Sequence, residues 1–81
     1  MTITVKLFAS LRREAGTDEL TLELPTGATV ADAVEALRAG PLPWLPDRAT
    51  FAVAVDREYA ADEAPLEPGS ELALVPPVSG G

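Results

Sequence analysis

The first strand of the predicted sheet is the stretch TITVKLF, residues 2–8. Within it Ile3, Val5 and Leu7 alternate with threonine and lysine residues. Such an alternation places the apolar side chains on one face of a strand and the polar side chains on the other. The stretch therefore predicts a half-buried strand, with one face on a core and one face open.

Alternation of the same kind predicts four further strands, and the last of them ends at two prolines. The four strands are predicted at residues 19–24, 50–55, 58–60 and 71–75. Asp56 and Arg57 are expected to form a turn between the second and third of these strands. Pro76 and Pro77 lack N–H donors, so sheet pairing is expected to end at Val75 and an extended tail to follow.

The main helix is predicted from Thr29, which can cap its first turn together with Asp32, to about Ala39. Its apolar residues fall on one stripe, which indicates a helix that lies on a sheet. This stripe consists of Val30, Ala33, Val34 and Leu37. Residues 9–15 are long enough only for a turn or two of helix, and Gly16 is expected to end it in a left-handed conformation.

The order strand, strand, helix, strand, short strand, strand predicts an α+β fold. In this fold one main helix packs on one face of a mixed sheet of four to five strands, which is the β-grasp, or ubiquitin-like, architecture. A helical crossover permits the first and last strands to lie parallel in the middle of the sheet. We expect the β-grasp domain to span residues 1–75 and an extended C-terminal functional tail to span residues 76–81.

The composition excludes several classes of function. Thirteen acidic and six basic residues give the 81-residue chain a net charge of −7, which disfavours nucleic acid and anionic membranes as partners. Cysteine and histidine are absent, so we expect no metal site, no bound cofactor and no ordinary catalytic residue. No apolar run approaches the roughly 20 residues of a membrane helix, and no signal peptide is recognisable, so a cytoplasmic location is expected.

Two apolar features are candidates for partner contacts. Phe8, Tyr59 and Val75 are predicted to form an exposed patch on the sheet face away from the helix, because Leu72 and Leu74 should face the helix. The alternative is that Phe8 or Tyr59 is simply buried. A separate Pro-rich loop contains Trp44, which can anchor a partner but is more often a plug at the edge of a small core.

Two stretches carry a family resemblance: LFASLRREAG, residues 7–16, and GSELALVPPVSGG, residues 69–81. They resemble the MoaD-type branch of the MoaD/ThiS sulfur-carrier family, the small subunits of molybdopterin synthase. The ending PPVSGG is the more specific of the two. The chain departs from the family pattern at residues 73–75, which are less aromatic than expected, and at Asp56, where an asparagine is common.

The resemblance implies that the chemistry occurs at the carboxylate of Gly81. An E1-like adenylating enzyme would use ATP and Mg²⁺ to adenylylate Gly81, and a sulfur-donating enzyme would then supply sulfur to form a thiocarboxylate. The tail, made of Pro76, Pro77, Val78, Ser79 and Gly80, would enter the large subunit of molybdopterin synthase within a heterotetramer. There the thiocarboxylate would donate sulfur to the cyclic pyranopterin precursor of the molybdenum cofactor, and catalytic side chains would belong to the partner.

The residues agree with this implication, because a chain without cysteine cannot hold sulfur as a side-chain persulfide. Three related roles share the activation step: sulfur carriage for thiamine, sulfur carriage for tRNA thiolation, and conjugation to lysine as a ubiquitin-like modifier. A role of another class is a non-covalent β-grasp interaction module. A tail that is merely disordered, as chain ends often are, would fit that last role.

Overall fold

The computed structural model describes residues 1–76, and within them five strands form one mixed sheet. The strands are β1 (Thr2–Leu7), β2 (Glu19–Glu23), β3 (Ala52–Val55), β4 (Glu58–Tyr59) and β5 (Glu71–Val75). The helices are α1 (Ala9–Ala15) and α2 (Val30–Ala39), and a short 3-10 helix spans Arg48–Thr50. The spatial order of the strands is β2-β1-β5-β3-β4. This arrangement confirms the predicted α+β, β-grasp fold.

The parallel pairing of β1 with β5 occupies the middle of the sheet, as predicted. Its register joins Val5 to Leu72 and Leu7 to Leu74. The remaining pairs, β1 with β2, β3 with β5 and β3 with β4, are antiparallel. Because β1 and β5 each have a strand on both sides, their backbone hydrogen-bonding groups are shielded from water on both edges.

The core lies between α2 and the sheet face that α2 covers. The strands contribute Val5, Leu72 and Leu74, all fully buried, and α2 contributes its predicted apolar stripe. Burial of aliphatic side chains stabilises a domain by about 1.5–3 kcal/mol for each Val or Leu fully removed from water. With no cysteine for a disulfide, burial of this kind is the main source of stability.

Hydrogen-bond acceptors from two segments of the chain pair with the first N–H groups of α2. Asp32 N–H donates to Thr29 Oγ1 at 3.3 Å, and the Asp32 carboxylate accepts from the N–H of Thr29 at 2.9 Å. This is the predicted capping box. The segment before β5 supplies two more acceptors, since Val30 and Ala31 donate to carbonyls of residues 64 and 62, each at 3.0 Å. The cap therefore also ties the long β4–β5 connection to the helix.

Several element boundaries differ from the prediction. β1 ends at Leu7, because the carbonyl of Phe8 already accepts from the N–H groups of Leu11 and Arg12 and so begins α1. β3 begins at Ala52 and not at Thr50, because residues 48–50 close a 3-10 turn. β2 ends at residue 23 and β4 at residue 59, one residue earlier than predicted in each case.

The Pro-rich loop after α2 covers one end of the core. Leu42 and Leu45 are buried, and Trp44 is half-buried and packs against the core. Arg38 holds the loop by donating to the carbonyls of Leu45 at 2.5 Å and of Pro46 at 3.1 Å. Trp44 thus packs as the interpretation of a plug requires, and Leu42 and Leu45 close the core beside it, which the prediction missed.

The described helices are short. None of those within residues 1–76 combines the length and the apolar character that a membrane crossing requires.

The capping box generates the first testable prediction. Thr29→Ala removes the acceptor of the Asp32 N–H and should lower the free energy of unfolding by about 1 kcal/mol, within a range of about 0.5–2 kcal/mol. Urea denaturation followed by circular dichroism measures the change. Thr26→Ala, at an exposed position in the preceding turn, is the matched control and should change the unfolding free energy by less than about 0.5 kcal/mol. Equal losses in the two variants would contradict the role of the cap.

Candidate functional site

The sheet face opposite α2, called here the outer face, carries one continuous row of side chains across all five described strands. Paired residues on neighbouring strands point to the same face of a sheet. The strand registers align Glu19, Lys6, Ala73, Ala54 and Tyr59 in this order from edge to edge. The row therefore changes from charged at the β2 edge to apolar at the β4 edge.

A second row, one step closer to the C-terminal end of β5, is wholly apolar. Val75 pairs with Ala52 on β3. Phe8 follows β1 with an extended backbone, φ −127° and ψ 154°, so its side chain points to the outer face, opposite to the buried Leu7. Since Leu7 pairs with Leu74, the next residues along the two strands, Phe8 and Val75, lie side by side.

The exposures of the three predicted contact residues differ. Phe8 is 46% exposed and Tyr59 is 78% exposed, so the alternative in which either is buried is wrong. Val75 is only half-buried, less open than expected, because it lies between its neighbours in the middle of the sheet. In strand order it lies between Phe8 and Tyr59, so the three side chains belong to one surface, called here the apolar patch.

The floor of the apolar patch is made of small residues. Ala54 and Ala73 face outward in the register, yet each is only 9% exposed because larger neighbours flank them. A shallow concavity beside them is lined by Phe51, Ala52, Tyr59, Val75 and Pro76, with Ala49 and Thr50 at its rim. A signal for this floor was present in the sequence, since alanines alternate with large residues along β3, but their role as a floor was not predicted.

The chain leaves the sheet at the apolar patch. Pro76, the last described residue, is half-buried and lines the concavity next to Val75. The other tail residues of the prediction, Pro77, Val78, Ser79, Gly80 and Gly81, lie outside the described residues. The root of the tail and the exposed aromatic side chains therefore share one end of the outer face.

The other end of the outer face is charged. Lys6 Nζ lies 3.8 Å from a carboxylate oxygen of Glu19 and 3.9 Å from one of Glu71. All three side chains are 30–53% exposed, and exposed pairs of this kind contribute little to stability. One ammonium faces two carboxylates, so this charged rim has a negative excess next to the apolar patch.

The position of Tyr59 depends on the turn at Asp56 and Arg57. Both residues have positive φ angles, 49° and 73°, which is the geometry of a tight hairpin turn. Asp56 also clamps the turn to β5, since its side chain accepts from the N–H of Glu71 and its own N–H donates to the Glu71 carbonyl, each at 2.9 Å. An asparagine oxygen could accept the same bond, so the departure from the family pattern at this position preserves the geometry.

Within residues 1–76 there is no group of three or more acidic side chains arranged to hold a metal ion. One acidic residue of the β4–β5 connection, Asp62, also has a structural partner, since Arg48 Nε donates to its carboxylate at 2.8 Å. The described part of the chain thus combines an exposed apolar patch with the root of a tail.

Comparisons with known proteins agree with this arrangement. A model of the ThiS family matches residues 5–81. The molybdopterin synthase sulfur carrier subunit of Arabidopsis thaliana is 38% identical over 80 residues, which cover 98% of this chain and 82% of the relative. Small archaeal modifier protein 1 of Haloferax volcanii is 39% identical, over 94% of this chain and 97% of the relative.

Solved structures are similar over the whole chain. The crystal structure of SAMP1 from Haloferax volcanii has a TM-score of 0.86 at 35% identity and covers 100% of both chains. The BexX/CysO complex of Amycolatopsis orientalis contains a similar chain, with a TM-score of 0.68 at 26% identity, covering 98% of this chain and 99% of the other.

The exposures on the outer face generate the second testable prediction. Tyr59→Ala should lower the free energy of unfolding by less than about 1 kcal/mol, because little of the side chain is removed from water. Phe51→Ala, at a lining residue of the same concavity that is 5% exposed, should lower it by about 3–5 kcal/mol. Chemical denaturation of the two variants gives the comparison. A loss at Tyr59 as large as the loss at Phe51 would place Tyr59 in the core and not on a free surface.

Proposed function

Because the chain belongs to the ThiS family, we propose that it is a ubiquitin-like sulfur carrier that holds sulfur as a thiocarboxylate on Gly81. The observation that carries the proposal is the family match, which extends through the terminal Gly80-Gly81. The geometry supports it, because Val75 and Pro76 bring the root of the tail to an exposed apolar patch. A partner that docks on this patch would receive the tail directly.

The chemistry requires activation by another protein. A carboxylate is a poor electrophile, so its oxygen must first attack the α-phosphate of ATP, which forms an acyl adenylate and releases pyrophosphate. Sulfur at the oxidation level of sulfide then attacks the acyl carbon and forms a C–S bond, while the bond from that carbon to the phosphate oxygen breaks and AMP leaves, so that sulfur replaces one carboxylate oxygen. Mg²⁺ or cationic groups must stabilise the phosphates during the first step. We assign these groups to an E1-like adenylating enzyme and the sulfur to a separate sulfur-donating enzyme.

The acceptor that we propose is the cyclic pyranopterin precursor of molybdopterin, within a molybdopterin synthase that supplies the catalytic residues. The name of the Arabidopsis relative, a sulfur carrier subunit of molybdopterin synthase, supports this choice. The name of the Haloferax relative favours a second candidate, a modifier joined to other proteins. Both functions begin from the same acyl adenylate of Gly81 and differ in the bond that forms next. In sulfur transfer a sulfur nucleophile displaces AMP, and the thiocarboxylate later gives its sulfur to the acceptor and returns to a carboxylate. In conjugation a lysine amine attacks the acyl carbon, displaces AMP and forms an isopeptide bond.

Docking on the large subunit and on the adenylating enzyme would use the outer face. Phe8 and Tyr59 are the exposed large apolar side chains of residues 1–76, and aromatic side chains are frequent anchors of protein interfaces. The negative excess around Lys6 and the net charge of −7 favour a partner surface with a basic rim. A partner that contacts the charged rim and the apolar patch together would be oriented over the root of the tail.

The third prediction tests the tail. Gly81→Val should abolish thiocarboxylate formation, because a side chain obstructs the close approach of the terminal carboxylate to the nucleotide. The wild-type and variant chains are incubated with the adenylating enzyme, ATP and a sulfur source, and intact-mass analysis detects the exchange of one oxygen for sulfur. Ala39→Val, at an exposed position of α2, places a valine within the domain as the control and should still be converted. Full conversion of Gly81→Val would overturn the mechanism, and the absence of any sulfur exchange in the wild-type chain would favour a non-covalent module.

The fourth prediction tests the docking surface. Phe8→Ala and Val75→Asp should each weaken binding to the adenylating enzyme by about tenfold or more, because they remove an anchor or place a charge in the apolar patch. Both variants should remain folded, since Phe8 is exposed and Val75 lies at the end of β5. Glu35→Ala, on the exposed side of α2 across the molecule, should bind like the wild type. Calorimetric titration measures the affinities, and unfolding of Val75→Asp would instead show that Val75 is a core residue.

A further inference from the structure

The backbone at Ala9 is strained, and nothing in the proposed function accounts for it. Three non-glycine residues within residues 1–76 have positive φ angles, and two of them, Asp56 and Arg57, form the hairpin turn that requires them. The third is Ala9, with φ 50°, at the first position of α1. A left-handed conformation is unfavourable for L-residues, and alanine has no polar side chain to compensate.

The contacts on both sides of Ala9 hold it in this conformation. Before it, Leu7 is 1% exposed and its N–H donates to the carbonyl of Asp18 at 2.9 Å. After it, Leu11 is 3% exposed and its N–H donates to the carbonyl of Phe8 at 3.1 Å. The chain must therefore turn between two buried leucines that are four residues apart, and Ala9 absorbs the sharp change of direction.

The turn at Ala9, called here the corner, determines where the side chain of Phe8 points. Phe8 is 46% exposed, so much of its side chain gains nothing from burial in the free chain, yet its backbone is fixed by the strand before it and by two hydrogen bonds from α1 to its carbonyl. It borders a cleft with Lys6, Arg12 and Glu19 on one side, and Val75 lies on the other. Backbone strain persists where the surrounding structure enforces it, and it is frequent at binding surfaces.

We propose that Ala9 is a positioning residue: its left-handed backbone holds Phe8 on the outer face, ready to dock on the partner. This inference rests on the proposed docking function of the apolar patch. The flanking contacts impose the left-handed conformation, and the Cβ of Ala9 narrows it, because the left-handed region open to an alanine is small whereas a glycine reaches a wide range of positive φ angles. The chain thus loses stability at the corner and gains a preorganised contact, and these two effects can be separated by mutation.

The experiment compares four variants of the full chain for thermal stability and for steady-state adenylation by its activating enzyme. Ala9→Gly relieves the strain and frees the corner, so its melting midpoint should rise by about 2–8 °C. Its KM for the carrier should rise about two- to tenfold at unchanged kcat, because Phe8 must be ordered on binding. Ala9→Asn should keep the wild-type KM, since asparagine retains a Cβ and tolerates the left-handed conformation.

Two controls make the result decisive. Ser10→Gly loosens the same helix one residue later, so it should lower the melting midpoint and leave the KM unchanged. Phe8→Ala should raise the KM at least as much as Ala9→Gly does. A fall of the melting midpoint in Ala9→Gly as large as that in Ser10→Gly would show that Ala9 is not strained. An unchanged KM in Ala9→Gly beside a raised KM in Phe8→Ala would overturn the positioning role alone, whereas an unchanged KM in Phe8→Ala would overturn the proposed docking surface as well.

Discussion

The parallel pairing of β1 with β5 is the constraint on which the rest of the structure depends. Parallel neighbours cannot be joined by a tight turn, so the chain between them must cross the sheet, and α2 provides the main element of that crossing. The pairing also places the C-terminal ends of β1 and β5 at the same end of the sheet. As a result the tail leaves β5 beside Phe8, the residue at which β1 gives way to α1.

The two faces of the sheet have different tasks. The face under α2 consists of fully buried aliphatic residues and supplies the stability of the domain. The outer face combines small alanines, exposed aromatic rings and weakly paired charges, which add little stability and leave a surface free for a partner. This division fits the proposed function, in which a chain without histidine or cysteine would offer a surface and a carboxylate and other proteins would supply the catalytic groups.

The sequence predicts the features that depend on interactions between residues close together in the chain. Alternation located the strands, and the Thr29 capping box and the Asp56 turn follow from side-chain chemistry within a few residues. Other features differ from the prediction. β1 ends at Leu7 and not at Phe8, because the Phe8 carbonyl accepts from the first N–H groups after α1 begins and so cannot continue the strand pairing. The burial of Leu42 and Leu45 depends on contacts with the distant core beneath the loop, which periodicity does not reveal. The left-handed Ala9 was not predictable, because alanine has no preference for that conformation and only the two flanking anchors enforce it.

The central claim is that sulfur is carried on the terminal carboxylate of Gly81. Its most direct test is mass analysis of the intact chain, with fragmentation of its C-terminal peptide, after purification from cells that contain the partner enzymes. We expect a fraction of chains to have one oxygen replaced by sulfur, with that sulfur on Gly81. Sulfur at any other residue would contradict the proposed mechanism. An unmodified Gly81 would also contradict it, if the cells complete the sulfur transfer and contain no other carrier in activated form.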